Sequence, residues 1–273
     1  LTRMAEKKIW ILAGEASGDL YGARLAGELR AIAAERGDTV RISGMGGPQM
    51  AAAEIDLKVD STELGVVGVI EVFKHIFTFI AIFFRLVREA KRARPQEVVL
   101  IDYPGFNLLF ALMMYANRIP VIWYVCPHLW VWGKWRLPVL AKICTKMLVI
   151  FPFETEVFAH TKLRTEFVGH PLIDIVADRR IPGVERNPED FLLLPGSRTM
   201  EINFLLYPML DTVTELAKRH PELKFHLSAP REKIARLCRE KFAAYRRKHP
   251  DVPEVEITCG DTSFWQQRAG TGL

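Results

Sequence analysis

The feature that most constrains this chain is a repeated alternation of short, nearly unbroken apolar runs with helix-length segments. Lys8–Ala13 (KIWILA) ends at Gly14, and a second strand, the more polar Thr39–Ser43 (TVRIS), is halted by the glycines of Gly44-Met45-Gly46-Gly47. Val98–Ile101, Val121–Val125 and Met147–Ile150 repeat the theme, each followed by a turn and a helix-length stretch. A run apolar at every position suits a strand buried on both faces, and strands alternating with helices predict a parallel sheet with helices on both sides. The expected fold class is therefore α/β.

Around Arg179–Asp190 the sequence turns to RRIPGVERNPED, with two prolines and six charged residues. This reads as a linker. Beyond it the rhythm restarts with strand Phe191–Leu194, helix Met200–Arg219, strand Lys224–Leu227, helix Glu232–Arg247 and strand Glu254–Thr258. The expected division is residues 1–180, a linker at 181–189, and residues 190–273. Three strands fall short of the five or six of a typical doubly wound domain. A continuation beyond Leu273 is expected, and the start at Leu1, with Met4 close behind, points to an imperfect start or a gene fragment.

A 273-residue chain with 49% hydrophobic and 25% charged residues has the composition of a globular protein, which excludes disorder. Its net charge of +5 favours anions, without choosing among nucleic acid, phosphorylated small molecules and an acidic membrane. The four cysteines form no C-x-x-C pair and have no histidine at zinc-ligand spacing, so reduced thiols in a cytosolic protein are expected. No signal peptide is legible, because Ile9–Ala13 is too short for an apolar leader core.

Several turns carry candidate chemistry. In Gly14-Glu15-Ala16-Ser17-Gly18-Asp19 small residues admit a ligand to the backbone, while Ser17 or Asp19 could simply cap the following helix. The spacing is not that of a dinucleotide fingerprint. Gly44-Met45-Gly46-Gly47 could cradle a sugar or phosphate, or be a plain turn. Asp102 stands at the C-terminal end of a buried strand, where open α/β sheets bind ligands, and a desolvated carboxylate there suits a general base. The alternative is an aspartate capping the next helix. His128, Trp130, Trp132 and Trp135 crowd one loop, where aromatic faces suit sugar rings and acyl chains and His128 suits a phosphate. His170 reads as a hinge-side hydrogen-bonding residue, with ligand contact as the alternative. At the start of the second unit Gly196, Ser197 and Arg198 offer backbone N–H groups and a guanidinium to a diphosphate, against the alternative of a serine helix cap.

One segment concerns the membrane. Ile76–Phe84 (IFTFIAIFF) lies in a longer helix-like stretch that Glu71, Lys74 and Arg85 interrupt too often for a transmembrane helix. Arg85, Arg88, Lys91, Arg92 and Arg94 follow it. Ile76, Phe79, Ile80 and Phe83 either fill the core or form an apolar face for acyl chains and bilayer, with Arg85 and Arg88 among the basic residues reading anionic headgroups.

Taken in order, AGEASGD, GMGGPQM, LGVVGVIEV, IDYPGFN, VCPHLWVWG, FPFE, FVGHP and LLPGSR resemble the successive blocks of lipid-A-disaccharide synthases. The resemblance covers essentially the whole chain. It implies a GT-B architecture of two Rossmann-like domains facing a cleft, the second incomplete here. It implies an inverting transferase joining UDP-2,3-diacylglucosamine to 2,3-diacylglucosamine 1-phosphate (lipid X) through a β-1,6 linkage, releasing UDP at the cytoplasmic face of the inner membrane. By position, Asp102 matches the family's candidate base, Arg198 its P-G-S-R arginine, and Gly14, Glu15 and Ser17 its first glycine-containing turn. Many members read DAPDFN where this chain has Tyr103 and Gly105, and many read S-P-S/Q-x-W-A-W where Cys126 and His128 stand in the first and third places.

The S-G-T block that would follow Gly260–Leu273 is missing, so the chain by itself is expected to be inactive. Neither a cofactor nor a metal is expected, since no D-x-D pair is present. The expected partners are the two acylated sugars and the anionic inner-membrane surface, not nucleic acid; oligomeric state is not legible. The rival readings are another GT-B enzyme, such as a UDP-N-acetylglucosamine epimerase, and a non-catalytic fragment that binds acylated ligands or membrane.

Overall fold

The structure, a computed structural model, describes residues 6–61, 69–129 and 133–273, with side chains throughout except those of residues 69–78 and 134. It divides into two compact units, Leu1–Ile173 and Asp174–Leu273.

The first unit runs β1 (Glu6–Ala13), α1 (Ala16–Glu35), β2 (Thr39–Gly46), α2 (Pro48–Ala52), β3 (Asp56–Asp60), α3 (Val69–Ala93), β4 (Glu97–Ile101), α4 (Pro104–Ala116) and β5 (Val121–Tyr124). It continues through α5 (Leu137–Ile143), β6 (Lys146–Val149), α6 (Glu154–Val157) and β7 (Arg164–Phe167), and α7 (Leu172–Asp178) carries the chain across the division. Its seven strands lie in the order β3-β2-β1-β4-β5-β6-β7, all parallel. Sequence patterning locates the five inner strands and misses the two at the edges. Asp56–Asp60 (DLKVD) and Arg164–Phe167 (RTEF) alternate with charge because each has a neighbour on one side only, the usual protection of an edge against further pairing. Trp10, Leu12, Val98, Leu100, Phe110, Trp123 and Met147 form the heart of the core. Burying each such leucine, valine or phenylalanine contributes about 1.5–3 kcal/mol.

The second unit holds β8 (Asn187–Leu193), α8 (Thr199–Arg219), β9 (Lys224–Ala229), α9 (Glu232–Arg246), β10 (Val255–Cys259), α10 (Thr262–Arg268) and β11 (Ala269–Gly272). Its sheet is parallel in the order β10-β9-β8-β11. The last strand is one more than the sequence reading expected; its residues, AGTG, have no apolar run to announce them. Leu193, Ile202, Leu206, Leu210, Phe225 and Ala235 make a separate core.

Both sheets place their first strand in the middle, so the chain winds outward one way and then restarts on the other side. The two loops leaving such a switch point diverge and leave a crevice at the C-terminal edge, where open α/β sheets take ligands. In the first unit these loops follow β1 and β4; in the second the corresponding strands are β8 and β11.

Two expectations about caps are corrected. Asp19 does not cap its own helix. Buried within the first turn of α1, its carboxylate accepts the backbone N–H of Gly47 (2.7 Å), Gln49 (2.9 Å) and Met50 (2.9 Å), satisfying the open start of α2. A Cβ on Gly47 would sit 2.8 Å from the same carboxylate, so the glycine is required by close approach. Ser197 is not the cap of α8 either: that place falls to Arg198.

The described part of the apolar stretch divides by helical periodicity. Phe79 and Phe83 pack on the core, with the Phe83 ring edge-on to Phe106 (5.4 Å) and Phe110 (6.3 Å). Ile80 and Phe84, one position on, point away and are 46% and 58% exposed. The outward apolar face is thus carried by Ile80 and Phe84, and Phe79 and Phe83 belong to the core side. Arg85 and Arg88 are exposed beside them, and the side chain of Ile76 lies outside the described residues. No helix among the described residues is long and apolar enough to cross a membrane.

Candidate functional site

The ends of β1 and β4 meet at the switch point, where Ala13 is in register with Ile101. Gly14 and Glu15 follow the first strand; Asp102 and Tyr103 follow the second. The Tyr103 ring lies over Gly14 so closely that a Cβ there would fall 2.3 Å from the ring. Glycine is needed at this position to let one loop's backbone pass beneath the other's aromatic face.

The backbone at this edge is strained. Asp102 (φ 46°), Tyr103 (φ 48°) and Val125 at the end of β5 (φ 67°) are all left-handed, and none is glycine. Each such residue costs on the order of 1–3 kcal/mol, and such strain clusters at working sites. Hydrogen bonds hold it in place: Asp102 N donates to Tyr124 O at 3.0 Å and Val125 N to Leu148 O at 3.0 Å. The fully buried Asn107 supplies a further clamp, its Nδ2 donating to the carbonyls of Asp102 (2.7 Å) and Ile101 (3.2 Å). Among the described residues its buried Oδ1 has no partner. The next helix begins at Pro104 with Tyr103 as its cap residue, so the Asp102 side chain is not spent on capping.

Electrostatics set Asp102 apart from an ordinary surface carboxylate. Burial pushes its pKa up and the Glu15 carboxylate adds to this, while the Tyr103 backbone N–H and His128 work in the opposite direction; the net shift is upward. Tyr103 is raised by burial and by Glu15, and Tyr21 by burial and by Asp102. Tyr21 stands against Tyr124, ring centroids 6.3 Å apart. A half-buried carboxylate made more basic than usual suits accepting a proton from a hydroxyl.

The other predicted residues sort as follows. Glu15, Ser17 and His128 are exposed, with Glu15 and His128 close enough to Asp102 to alter its ionisation. Trp130 and Trp132 lie outside the described residues. Cys126 is a buried free thiol pushed strongly up, first by burial and then by Glu154, Asp102 and Cys144, which makes it inert. His170 is structural: its Nδ1 accepts Leu172 N–H at 3.2 Å, and its ring meets Phe151 edge-on.

In the second unit Gly196 (φ +115°) turns the chain out of β8. The N–H groups of Ser197 (2.7 Å) and Arg198 (3.0 Å), which suit a phosphate, both donate to Glu201 Oε2, and Arg198 Nη1 reaches Glu201 Oε1 at 3.5 Å. These bonds hold the Glu201 carboxyl below the usual range. The anion place at this helix start is therefore filled by the chain's own carboxylate. Arg231 adds a second guanidinium to the turn by donating to Ser197 O at 3.3 Å. Asn107, Glu201 and Arg231 were all missed from sequence. Glu201, three residues after Arg198 at a helix start, has capping-box spacing and was the one that could have been found. Among the described residues no three His, Cys, Asp or Glu side chains converge as a metal site.

Residues 9–253 match the family profile described as Lipid-A-disaccharide synthetase. A lipid-A-disaccharide synthase of Koribacter versatilis is 39% identical over 216 residues, 77% of this chain and 56% of the relative. One of Syntrophus aciditrophicus is 36% identical over 266 residues, covering 95% of this chain and 67% of the relative. One of Geobacter sulfurreducens is 35% identical, covering 83% and 60%. The chain thus spans between 56% and 67% of the length of these relatives. Among solved structures, the UDP-GlcNAc 2-epimerase of Neisseria meningitidis bound to UDP-GlcNAc superposes with a TM-score of 0.61 at 12% identity, covering 97% of this chain and 76% of that one. The S. aureus MnaA–UDP structure gives 0.60 at 13%, covering 96% and 72%. At such identity these likenesses establish the fold alone: two parallel α/β units of the GT-B kind.

Proposed function

The chain belongs to the lipid-A-disaccharide synthetase family, and from that premise we propose that it carries the acceptor-activating half of an inverting glycosyltransferase and the beginning of its donor half. The reaction joins UDP-2,3-diacylglucosamine to 2,3-diacylglucosamine 1-phosphate. The acceptor's 6-hydroxyl oxygen attacks the anomeric carbon as the bond from that carbon to the UDP oxygen breaks. Asp102 takes the hydroxyl proton, and UDP leaves with the bonding electron pair. The observation that carries this reading is Asp102 itself: a carboxylate with raised pKa, at the switch point, on backbone clamped in a strained form.

Gly14 and Glu15 would border the acceptor sugar. In the second unit the N–H groups of Ser197 and Arg198, with the Arg198 guanidinium, suit the diphosphate of the donor, which must first displace Glu201. No step needs a cofactor or a metal.

The protein works at the inner, cytoplasmic face of the inner membrane in this reading, held peripherally. Ile80 and Phe84 on α3 and Leu109 and Leu112 on α4 are exposed apolar side chains. Between the two helices a groove of about 360 Å³ is lined by Phe84, Val87 and Met113, with Arg88, Lys91 and Arg92 around it. An apolar floor with a cationic border suits acyl chains below anionic headgroups.

UDP release is the test, measured with both acylated substrates for the chain and for the chain extended by the C-terminal segment of the Syntrophus relative. In whichever form turns over, D102N should lower the rate by about 10²–10⁴-fold, the usual worth of a general base, with the fold unchanged. A rate within a few-fold of the parent removes Asp102 from the base role. Turnover with UDP-GlcNAc but not with the acylated donor transfers the chain to non-acylated chemistry.

A further inference from the structure

A second cavity lies at the other end of the first sheet. About 350 Å³ in volume and open to solvent on one side, it is lined by Lys8 and Trp10 of β1, Arg41 and Ser43 of β2, Asp56 and Lys58 of β3, and Glu89, Arg92 and Ala93 of α3. Alternate residues of three neighbouring strands form its floor, and the end of α3 forms its wall. Lys8 lies five residues before Ala13, so at about 3.3 Å per residue the cavity is roughly 16 Å along the strand from the Asp102 edge. It is a separate place.

Its charges do not cancel. Four cations face two carboxylates, and both carboxylates are already engaged. Asp56 accepts from Lys58 Nζ at 2.6 Å and from Ser43 Oγ at 3.3 Å, with Arg41 at 3.8 Å, and these contacts hold its carboxyl below the usual range. Glu89 pairs with Arg85 at 3.0 Å. The side chains of Lys8 and Arg92 have no carboxylate partner among the described residues. Lys8 and Arg41 are moreover direct register neighbours on adjacent strands, about 4.8 Å apart along the sheet. Like charges paired in this way are destabilising, and Asp56, which Lys58 holds at 2.6 Å, reaches Arg41 only at 3.8 Å and leaves Lys8 unmatched.

We propose that this cavity is a binding site for a phosphomonoester dianion, held by Lys8, Arg41 and Arg92 with the Ser43 hydroxyl beneath. Its size is that of a small-ligand site, and two negative charges match Lys8 and Arg92, the two cations that no carboxylate of the cavity engages. Arg92 also lines the apolar groove between α3 and α4, so the phosphate can arrive free in solution or as the headgroup of a lipid lying in that groove. The site shares no residue with the Asp102 edge or the Ser197 turn, so it does not rest on the transfer chemistry; it shares Arg92 alone with the groove between α3 and α4.

Amine labelling of the full chain, read by mass spectrometry, tests the proposal on Lys8 directly. Inorganic phosphate at millimolar concentration should slow acetylation of Lys8 at least fivefold and leave the remote Lys162 unchanged; that outcome assigns a soluble ligand. Protection by phosphatidylcholine vesicles containing phosphatidic acid, with none from inorganic phosphate or pure phosphatidylcholine, assigns a lipid headgroup. Calorimetric titration with inorganic phosphate, in an R198A background to remove the donor-side turn, should show binding weakened tenfold or more by K8Q/R92Q and less than twofold by K162Q. Lys8 unprotected by both phosphate and phosphatidic acid, or protection that K162Q abolishes as fully as K8Q/R92Q, overturns the site.

Discussion

Gly14 lies under the ring of Tyr103, with space for a hydrogen and not for a methyl group. The contact ties the loop after β1 to the loop after β4, and Tyr103 is the residue immediately after Asp102, itself left-handed. A methyl at position 14 must lift the ring, and the ring's backbone carries Asp102 with it. G14A should therefore depress kcat in the transfer-competent form by at least tenfold. Unfolding in urea should shift by no more than about 1–3 kcal/mol, the cost of modest overpacking. An unaltered kcat would mean that the tyrosine ring moves freely and does not position the aspartate.

The pH profile reports the same environment. Asp102 is raised first by burial and second by Glu15, so the acidic limb of kcat/KM should lie above the ordinary aspartate value of about 3.9. The base works only when ionised, so activity is present above the folded-state value and is lost as pH falls through it. E15Q removes the second cause and leaves the first. The limb should move to lower pH while remaining above the ordinary value. A limb that does not move with E15Q would assign it to another group.

A third expectation concerns Glu201, which occupies the N–H groups of Ser197 and Arg198. If UDP must displace it, E201Q should tighten UDP binding by about three- to tenfold, in keeping with a charge-assisted hydrogen bond worth about 1.5–3 kcal/mol that is partly recovered. The melting temperature should fall because the start of α8 loses its cap. Calorimetry against UDP settles the direction. Weaker binding in E201Q would show that Glu201 shapes the turn for the donor and does not compete with it.

How far this was legible from sequence follows from what each residue answers to. Most inner strands could be read because burial on both faces demands nearly unbroken apolar runs, and β2 (TVRISGMG) because its glycines mark where it halts; DLKVD and RTEF could not, since an edge strand answers to water on one side. Asp102 was legible because its place at a strand end is a property of neighbouring residues. Asp19 was seen as a cap but given the wrong helix, because its true partners at Gly47, Gln49 and Met50 are about thirty residues away and only the parallel pairing of β1 with β2 brings them together. Lys8 and Arg41 were invisible as a pair for the same reason. Phe79 and Phe83 were grouped with Ile80 because a strongly apolar helix does not announce which flank faces the core.

The membrane reading can be decided on that last distinction. Ile80 and Phe84 point outward, whereas Phe79 and Phe83 touch core residues, so the two pairs should behave oppositely. Vesicles with anionic headgroups should sediment the parent chain at low salt. Each nearby basic residue contributes on the order of 1 kcal/mol, so raising ionic strength should release the protein. I80S/F84S should lower vesicle binding several-fold with little change in unfolding, because exposed side chains contribute little to the core. F79S/F83S should do the reverse, destabilising the first unit, since these partly buried rings pack on the core and full burial of each would be worth about 1.5–3 kcal/mol. A parent chain that ignores anionic vesicles at low salt, or an I80S/F84S variant that binds them as well as the parent, removes α3 from the membrane contact.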